Sequence, residues 1–178
     1  MTKTNIAVVL TAIGDDRPGL VEQLANAVSR HGANWRESSM SHLAGKFAGI
    51  VCIDVPESEI EALNATLAAL PGLRIRAETS TPAASQPSCR RLKLSLVGHD
   101  RIGIVSEVTQ VLDRHAVNVE ELITHTDSAP MSATEMFHAS AELTAAANLD
   151  AHALTAELER LSNDLMVDIT LDETLRKR

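Results

Sequence analysis

Hydrophobic positions along the chain change their spacing in a regular order, from alternate residues to every third or fourth and back again. From Ile6 to Ile13, Val8, Leu10 and Ala12 alternate with Val9, Thr11 and Ile13, which predicts a strand apolar enough on both faces to be covered. Leu92, Leu94 and Leu96 take the same roles later, opposite Lys93 and Ser95. Val21, Leu24 and Val28 then recur at helical spacing, as do Val105, Val108 and Leu112. Asn34 to His42 and its twin Asn118 to Thr126 are more polar strands, expected at a sheet edge or a partner surface. Ala44-Gly45 turns the chain into a strand from Lys46 to Val55. The later connection is longer, with Asp127-Ser128-Ala129-Pro130-Met131 ahead of a strand from about Ala133 to Leu143. Second helices carry the stripes Ile60, Leu63, Leu67, Leu70 and Leu154, Leu158, Leu161, and Pro71-Gly72 stops the first of them. Each half closes on a strand, Leu73-Ile75-Ala77 between Arg74 and Arg76, and Leu165-Val167-Ile169-Leu171 between Met166, Asp168 and Thr170. The order β-α-β-β-α-β therefore occurs twice. It predicts an α+β chain of two tandem ferredoxin-like units, each a four-stranded antiparallel sheet with two helices on one face.

The halves are copies of one another. Gly14-Asp15-Asp16-Arg17-Pro18-Gly19-Leu20 returns as Gly98-His99-Asp100-Arg101-Ile102-Gly103-Ile104, an offset of 84 residues. The offset holds without a gap through Val21/Val105, Arg30/Arg114, His31/His115, Asn34/Asn118 and Glu37/Glu121. Each G-x-D-R-x-G segment joins the first strand to the first helix. Glycine permits the tight bend, and Asp16 or Arg17 is expected at the cap position with Pro18 in the first helical turn. Free N–H groups at such a helix start, with the helix dipole behind them, suit a carboxylate or phosphate. A capped helix without a ligand is the plainer reading; two copies keeping Asp, Arg and the second Gly favour a shared task, although common descent preserves residues too. Gly32 is expected to end the first helix in a left-handed cap, which its counterpart Ala116 is not expected to reproduce.

Composition narrows the function. With 178 residues, a formal net charge of −8 and a pI near 5.3, the chain is poorly suited to direct nucleic-acid binding. Its basic clusters, Arg90-Arg91 with Lys93 and Arg176-Lys177-Arg178, lack flanking aromatics; the chain has one Trp, two Phe and no Tyr to stack on bases. Cys52 and Cys89 do not suggest a disulfide framework. Met1 to Asn5 runs into the first strand without a signal-peptide pattern, and no apolar run approaches membrane-spanning length. A cytoplasmic protein with no membrane partner is expected. The Ser-, Pro- and Ala-rich stretch from Thr79 to Ser88 predicts domains at 1–79 and 92–178 with a linker over 80–91.

Catalytic chemistry finds little support. His99-Asp100 and His125 are placed to approach one another, His31 and His115 end the first helices, and His42 and His138 fall on strands. No metal-binding spacing of His or Cys appears, so no metal ligands and no cofactor are expected. Ser38, Ser39, Ser41 and Cys52 lack a nucleophile elbow or a paired base, and the Gly-rich turn is too short for a P-loop. The chain is expected to be non-catalytic.

The β-α-β-β-α-β order with G-x-D-R-x-G at its first turn and Asn opening its second strand resembles the ACT domain, an amino-acid-sensing regulatory module. Two such units filling essentially the whole chain look like the glycine cleavage system transcriptional repressor family. The motif is also similar to the amino-terminal module of formyltetrahydrofolate deformylases, whose catalytic domain has no counterpart here. Asp16-Arg17-Pro18-Gly19 is the fuller motif; the second copy departs from it with Ile102 in place of Pro. The resemblance implies a small amino-acid ligand, with glycine as a candidate, bound between the first turn and the second strand, commonly between two domains. The helix-start backbone at Gly19-Leu20 and Gly103-Ile104 would receive its carboxylate. Asp16 and Asp100 would take the ammonium or only cap the helix, and Asn34 and Asn118 would hydrogen-bond the zwitterion. Arg17 and Arg101 would pair with a carboxylate or remain solvated. The resemblance further implies homo-oligomers, and regulation through a LysR-type transcriptional activator rather than through DNA. The alternative is an ACT module that binds no small molecule and only dimerises or docks on a protein.

Overall fold

The computed structural model describes residues 4–80, 89–128, 135–165 and 167–174. The chain divides into two compact units, Met1–Ala84 and Ser85–Arg178. The first runs β1 (Asn5–Asp15), α1 (Leu20–Arg30), β2 (Asn34–Leu43), β3 (Lys46–Pro56), a 3-10 turn at Glu57–Glu59, α2 (Ile60–Ala68) and β4 (Leu73–Thr79). The second runs β5 (Cys89–His99), α3 (Ile104–Arg114), β6 (Asn118–Ser128), β7 (Glu135–Ala146), α4 (Ala151–Leu165) and β8 (Val167–Thr174). Each forms a four-stranded sheet, β2-β3-β1-β4 and β6-β7-β5-β8, with every pairing antiparallel. The predicted α+β fold is present in both copies, with the polar strands β2 and β6 at the edges. The repeat extends to an irregularity: β2 slips register between Trp35 and Glu37, and β6 slips between Val119 and Glu121.

Alternation along the strands decides which face meets the helices. Val8, Leu10 and Ala12 of β1 and Val51, Ile53 and Val55 of β3 are buried with Leu24, Ala27 and Val28 of α1 and Leu63 and Leu67 of α2. In the second unit Leu92, Leu94 and Leu96 meet Val108, Val111 and Leu112 of α3 and Leu154 and Leu158 of α4. The opposite face of the first sheet is open. Ile13 and Ile50 are 40% and 52% exposed there, so β1 is covered on one face and not on both as its composition predicted.

Three further expectations are corrected. The buried stripe of α1 is Leu20, Leu24, Ala27 and Val28, and that of α3 is Ile104, Val108, Val111 and Leu112. Val21 and Val105 lie beside these stripes, 46% and 40% exposed, because residues four, seven and eight positions on share the face of Leu20 and Ile104. Leu165 ends α4 rather than opening the last strand. The left-handed cap occurs in both copies: Gly32 has φ +65° and Ala116 has φ +52°. Gly32 and Ala116 donate to the carbonyls of Ser29 and Asp113, and Ala33 and Val117 donate to those of Val28 and Leu112. That is the same pair of carbonyl-satisfying bonds twice, once with the Cβ penalty.

β5 begins at Cys89, so Arg90 and Arg91 belong to a strand. Cys52 and Cys89 are both free thiols. Most of the predicted linker, the Ala129-Pro130-Met131 connection, Met166 and the basic tail lie outside the described residues, and no described helix is long and apolar enough to cross a membrane.

Candidate functional site

The β1–α1 turn starts its helix differently from the expected capped form. The residue before α1 is Gly19, at φ +89° and ψ 0°, and no side chain caps the helix. Gly103 precedes α3 in the same way at φ +97°. Asp16, Arg17 and Pro18 therefore lie ahead of the helix, not at its cap or in its first turn. A positive φ is the reason glycine stands at this position. The Gly19 carbonyl accepts from Gln23 N–H, and no atom beyond Gly19 and its neighbours Pro18 and Leu20 lies within 4 Å of where a Cβ on Gly19 would sit. This leaves the helix start open, with the dipole favouring an anion. Leu20 contributes only backbone, since its side chain is buried with Phe47 and Leu73.

The turn is held from two sides. Asp16 N–H donates to the Gly45 carbonyl of the β2–β3 hairpin at 3.0 Å, and Arg17 Nη2 donates to the Pro71 carbonyl at 2.8 Å. Arg17 thus ties the turn to the α2–β4 connection. Asp16 remains exposed, and its Oδ2 lies 3.7 Å from His42 Nε2. Asp15 pairs with Lys46, whose hydrogen bond and charge hold the Asp15 carboxyl below its ordinary value. His42 and Lys46 were not singled out for this site from sequence. The signal that could have found them is the two-residue hairpin, which returns both beside the turn.

Asn34 does not join these groups within its own unit. It pairs with Asp54, at the level of Ala7, whereas the turn follows Asp15 at the other end of β1. The two levels are about 26 Å apart at roughly 3.3 Å per strand residue. Asn118, paired with Thr144, is similarly remote from Gly103.

The second copy has the same turn and strengthens one of its contacts: where Arg17 Nη2 donates to Gln23 Oε1 at 3.3 Å, Arg101 meets a carboxylate at the equivalent position. Arg101 donates from Nη1 and Nη2 to the two carboxylate oxygens of Glu107, at 2.9 and 2.7 Å. The hydrogen bond and charge of Arg101 hold the Glu107 carboxyl below its ordinary value, and the pairing raises that of Arg101. Glu107 Oε1 stands 3.4 Å from where a Cβ on Gly103 would be, so this pair lies against the residue that precedes the helix. Asp100 N–H bonds to the Glu135 carbonyl, Ile104 is in the core, and Ile102 is fully exposed. Asn118 donates to Glu120 at 2.7 Å; with Thr144 as the stronger donor, it holds the Glu120 carboxyl low.

The histidines separate by role. His31 at the end of α1 contacts Glu59 (3.0 Å) and Thr66 (2.8 Å), and His115 at the end of α3 contacts Glu157 (2.8 Å), joining each first helix to the second-helix region. β7 lies between the strands carrying His99 and His125, and the ring found against His125 is that of His138. A concavity of about 610 Å³ lies on the open face of the first sheet, with Ile13, Ile50, Arg74 and Arg76 among its walls.

Comparison with known proteins fits this architecture. The ACT domain family profile matches residues 7–72. The chain is 24% identical over 163 residues to the glycine cleavage system transcriptional repressor of Escherichia coli (strain K12), covering 88% of this chain and 84% of that one. A crystal structure of an unknown protein from Galdieria sulphuraria superposes with a TM-score of 0.88 at 29% identity, covering 97% of this chain and 100% of that one. A putative glycine cleavage system transcriptional repressor superposes at 0.70 and 21% identity, covering 97% and 99%. The last likeness speaks for the fold alone.

Proposed function

We propose that this chain, whose first unit matches the ACT domain family over residues 7–72 and whose second repeats its fold, is a non-catalytic cytoplasmic regulator of tandem ACT domains that senses a small amino acid at the first unit's β1–α1 turn. The observation that carries this reading is the uncapped start of α1 at Gly19, in the same turn as the exposed Asp16 carboxylate, which faces His42. One end of a zwitterion, its carboxylate, is matched by the backbone N–H groups and dipole of α1. The other, its ammonium, is matched by Asp16. Asn34 can contribute only from a second chain, which fits a homo-oligomer. Glycine is the first candidate, because the repressor from Escherichia coli resembles this chain over most of its length.

Binding alone does not regulate. The amino acid must favour one arrangement of the protein over another, and that difference would alter its contact with a transcriptional activator, of LysR type by family resemblance. The net charge of −8 favours a protein partner over DNA.

Calorimetric titration with glycine and then a panel of amino acids tests the reading. We expect a dissociation constant between micromolar and millimolar, about −8 to −4 kcal/mol, weakened in a folded Asp16→Asn variant. Absence of binding by the folded wild type to the whole panel would sink it. The exposed Ile13 and Ile50 beside Arg74 and Arg76 favour a second reading in that event, a module that only docks on protein through its open sheet face.

A further inference from the structure

His125 and Asp127 are two residues apart on β6, so they project from one side of the sheet. His138 on β7 pairs directly with His125. All three stand on the face turned away from the helices, since Phe137 and Ala141 carry the buried face of β7. The two imidazoles stack with centroids 4.8 Å apart and planes 4° from parallel. His138 Nε2 lies 3.1 Å from Asp127 Oδ1. One ligand atom from each residue can be chosen so that all lie within 4.8 Å of one another. We infer that His125, Asp127 and His138 form a binding site for a divalent transition-metal ion, with zinc as its representative.

The donor set selects the class of ion. Two imidazoles and one carboxylate suit zinc and its first-row neighbours, whereas magnesium and calcium prefer all-oxygen shells. Three protein ligands also match an open zinc site, which leaves a fourth position for water or an incoming group. Bonds of 2.0–2.1 Å in a tetrahedron place ligand atoms about 3.3 Å apart. Closing from 4.8 Å to that separation needs side-chain rotation, which the exposed His125 and Asp127 and the half-buried His138 can supply.

A His–Asp ion pair beside a stacked ring is the competing explanation for the cluster. The first unit argues that the fold does not require it. The positions equivalent to His125, Asp127 and His138 hold Ser41, Leu43 and Ala48, and that copy makes the same sheet in the same order. These residues distinguish the second copy from the first and are not among the buried hydrophobic residues of its core.

The test uses the full, tag-free chain, stripped with a chelator. It is titrated with zinc chloride by calorimetry and with cobalt(II) by visible absorption. We expect one ion per chain and the intense visible bands of tetrahedral cobalt. His125→Ala and His138→Ala, with far-ultraviolet dichroism unchanged, should each weaken binding roughly tenfold or more. His42→Ala and His152→Ala should not. Absence of saturable zinc binding by the folded wild type overturns the assignment. So does unchanged zinc and cobalt binding in the folded His125→Ala/His138→Ala double variant.

Discussion

Single residues carry many of the differences between two copies that share one order of elements. Ala116 adopts the left-handed cap that Gly32 adopts in the first copy, with the same two backbone bonds. An L-residue there meets a steric cost of about 1–2 kcal/mol, while glycine loses about 0.5–1 kcal/mol more chain entropy on folding. Ala116→Gly should therefore stabilise the second unit by roughly 0.5–1 kcal/mol, measured by urea denaturation followed at amides of each unit. A destabilised variant would mean that the cap carries no such penalty. Glu157 gives a prediction in pH. Hydrogen bonds from His115 and then Arg114 hold its carboxyl below the ordinary glutamate value. Its stabilising contribution is complete above the unfolded-state value and is lost as pH falls through the lower folded-state value. The stability difference between wild type and Glu157→Gln should be largest near neutrality and close on acidification. Equal differences at every pH would remove Glu157 from the acid response.

At the scale of elements, periodicity identified each α-helix and strand among the described residues, missed the 3-10 turn at Glu57–Glu59, and rotated α1 by putting Val21 in its stripe. Val21 and Leu24 both fit a helical stripe, and only packing against the sheet distinguishes them. Leu24 is completely buried, whereas Val21 is 46% exposed. Leu24→Ala should cost about 2–5 kcal/mol through lost transfer energy and a residual cavity. Val21→Ala should stay within about 0.5 kcal/mol, as at most exposed positions. The same denaturation experiment compares them, and similar losses would contradict the rotation described. Edge position was more legible than rotation. The polar alternation of Asn34 to His42 marked β2 as an edge strand because a central strand would have buried those groups unpaired. The register slips at Arg36 and Glu120 were not legible, since no glycine or proline marks them.

The whole molecule is a duplication in which shared descent preserved backbone and released side chains. Gly19 before the first helix is open at its Cβ position, whereas Gly103 before the second has the Arg101–Glu107 pair against it. If the proposed sensing function holds, calorimetry should give one amino acid per chain rather than two. A value of two would show that the Arg101–Glu107 pair yields to ligand. The candidate metal cluster divides the copies in the opposite sense, with its ligands in the second and Ser41, Leu43 and Ala48 in the first. Its components were visible as separate residues. Their convergence was not, because a cross-strand partner depends on register across a connection of different length in each copy.

The sequence by itself determined the two-fold repeat, the order of elements, the edge position of β2 and β6 and Gly19 as a tight-turn residue. These follow from local spacing and from the conformations that individual residues allow. Only the tertiary structure decided that one face of the first sheet is open and that Asn34 lies a sheet's length from Gly19. It also decided that Arg17 braces a loop and that His125 meets His138. These depend on strand pairing and long-range packing, which bring together residues whose relation the linear pattern does not encode.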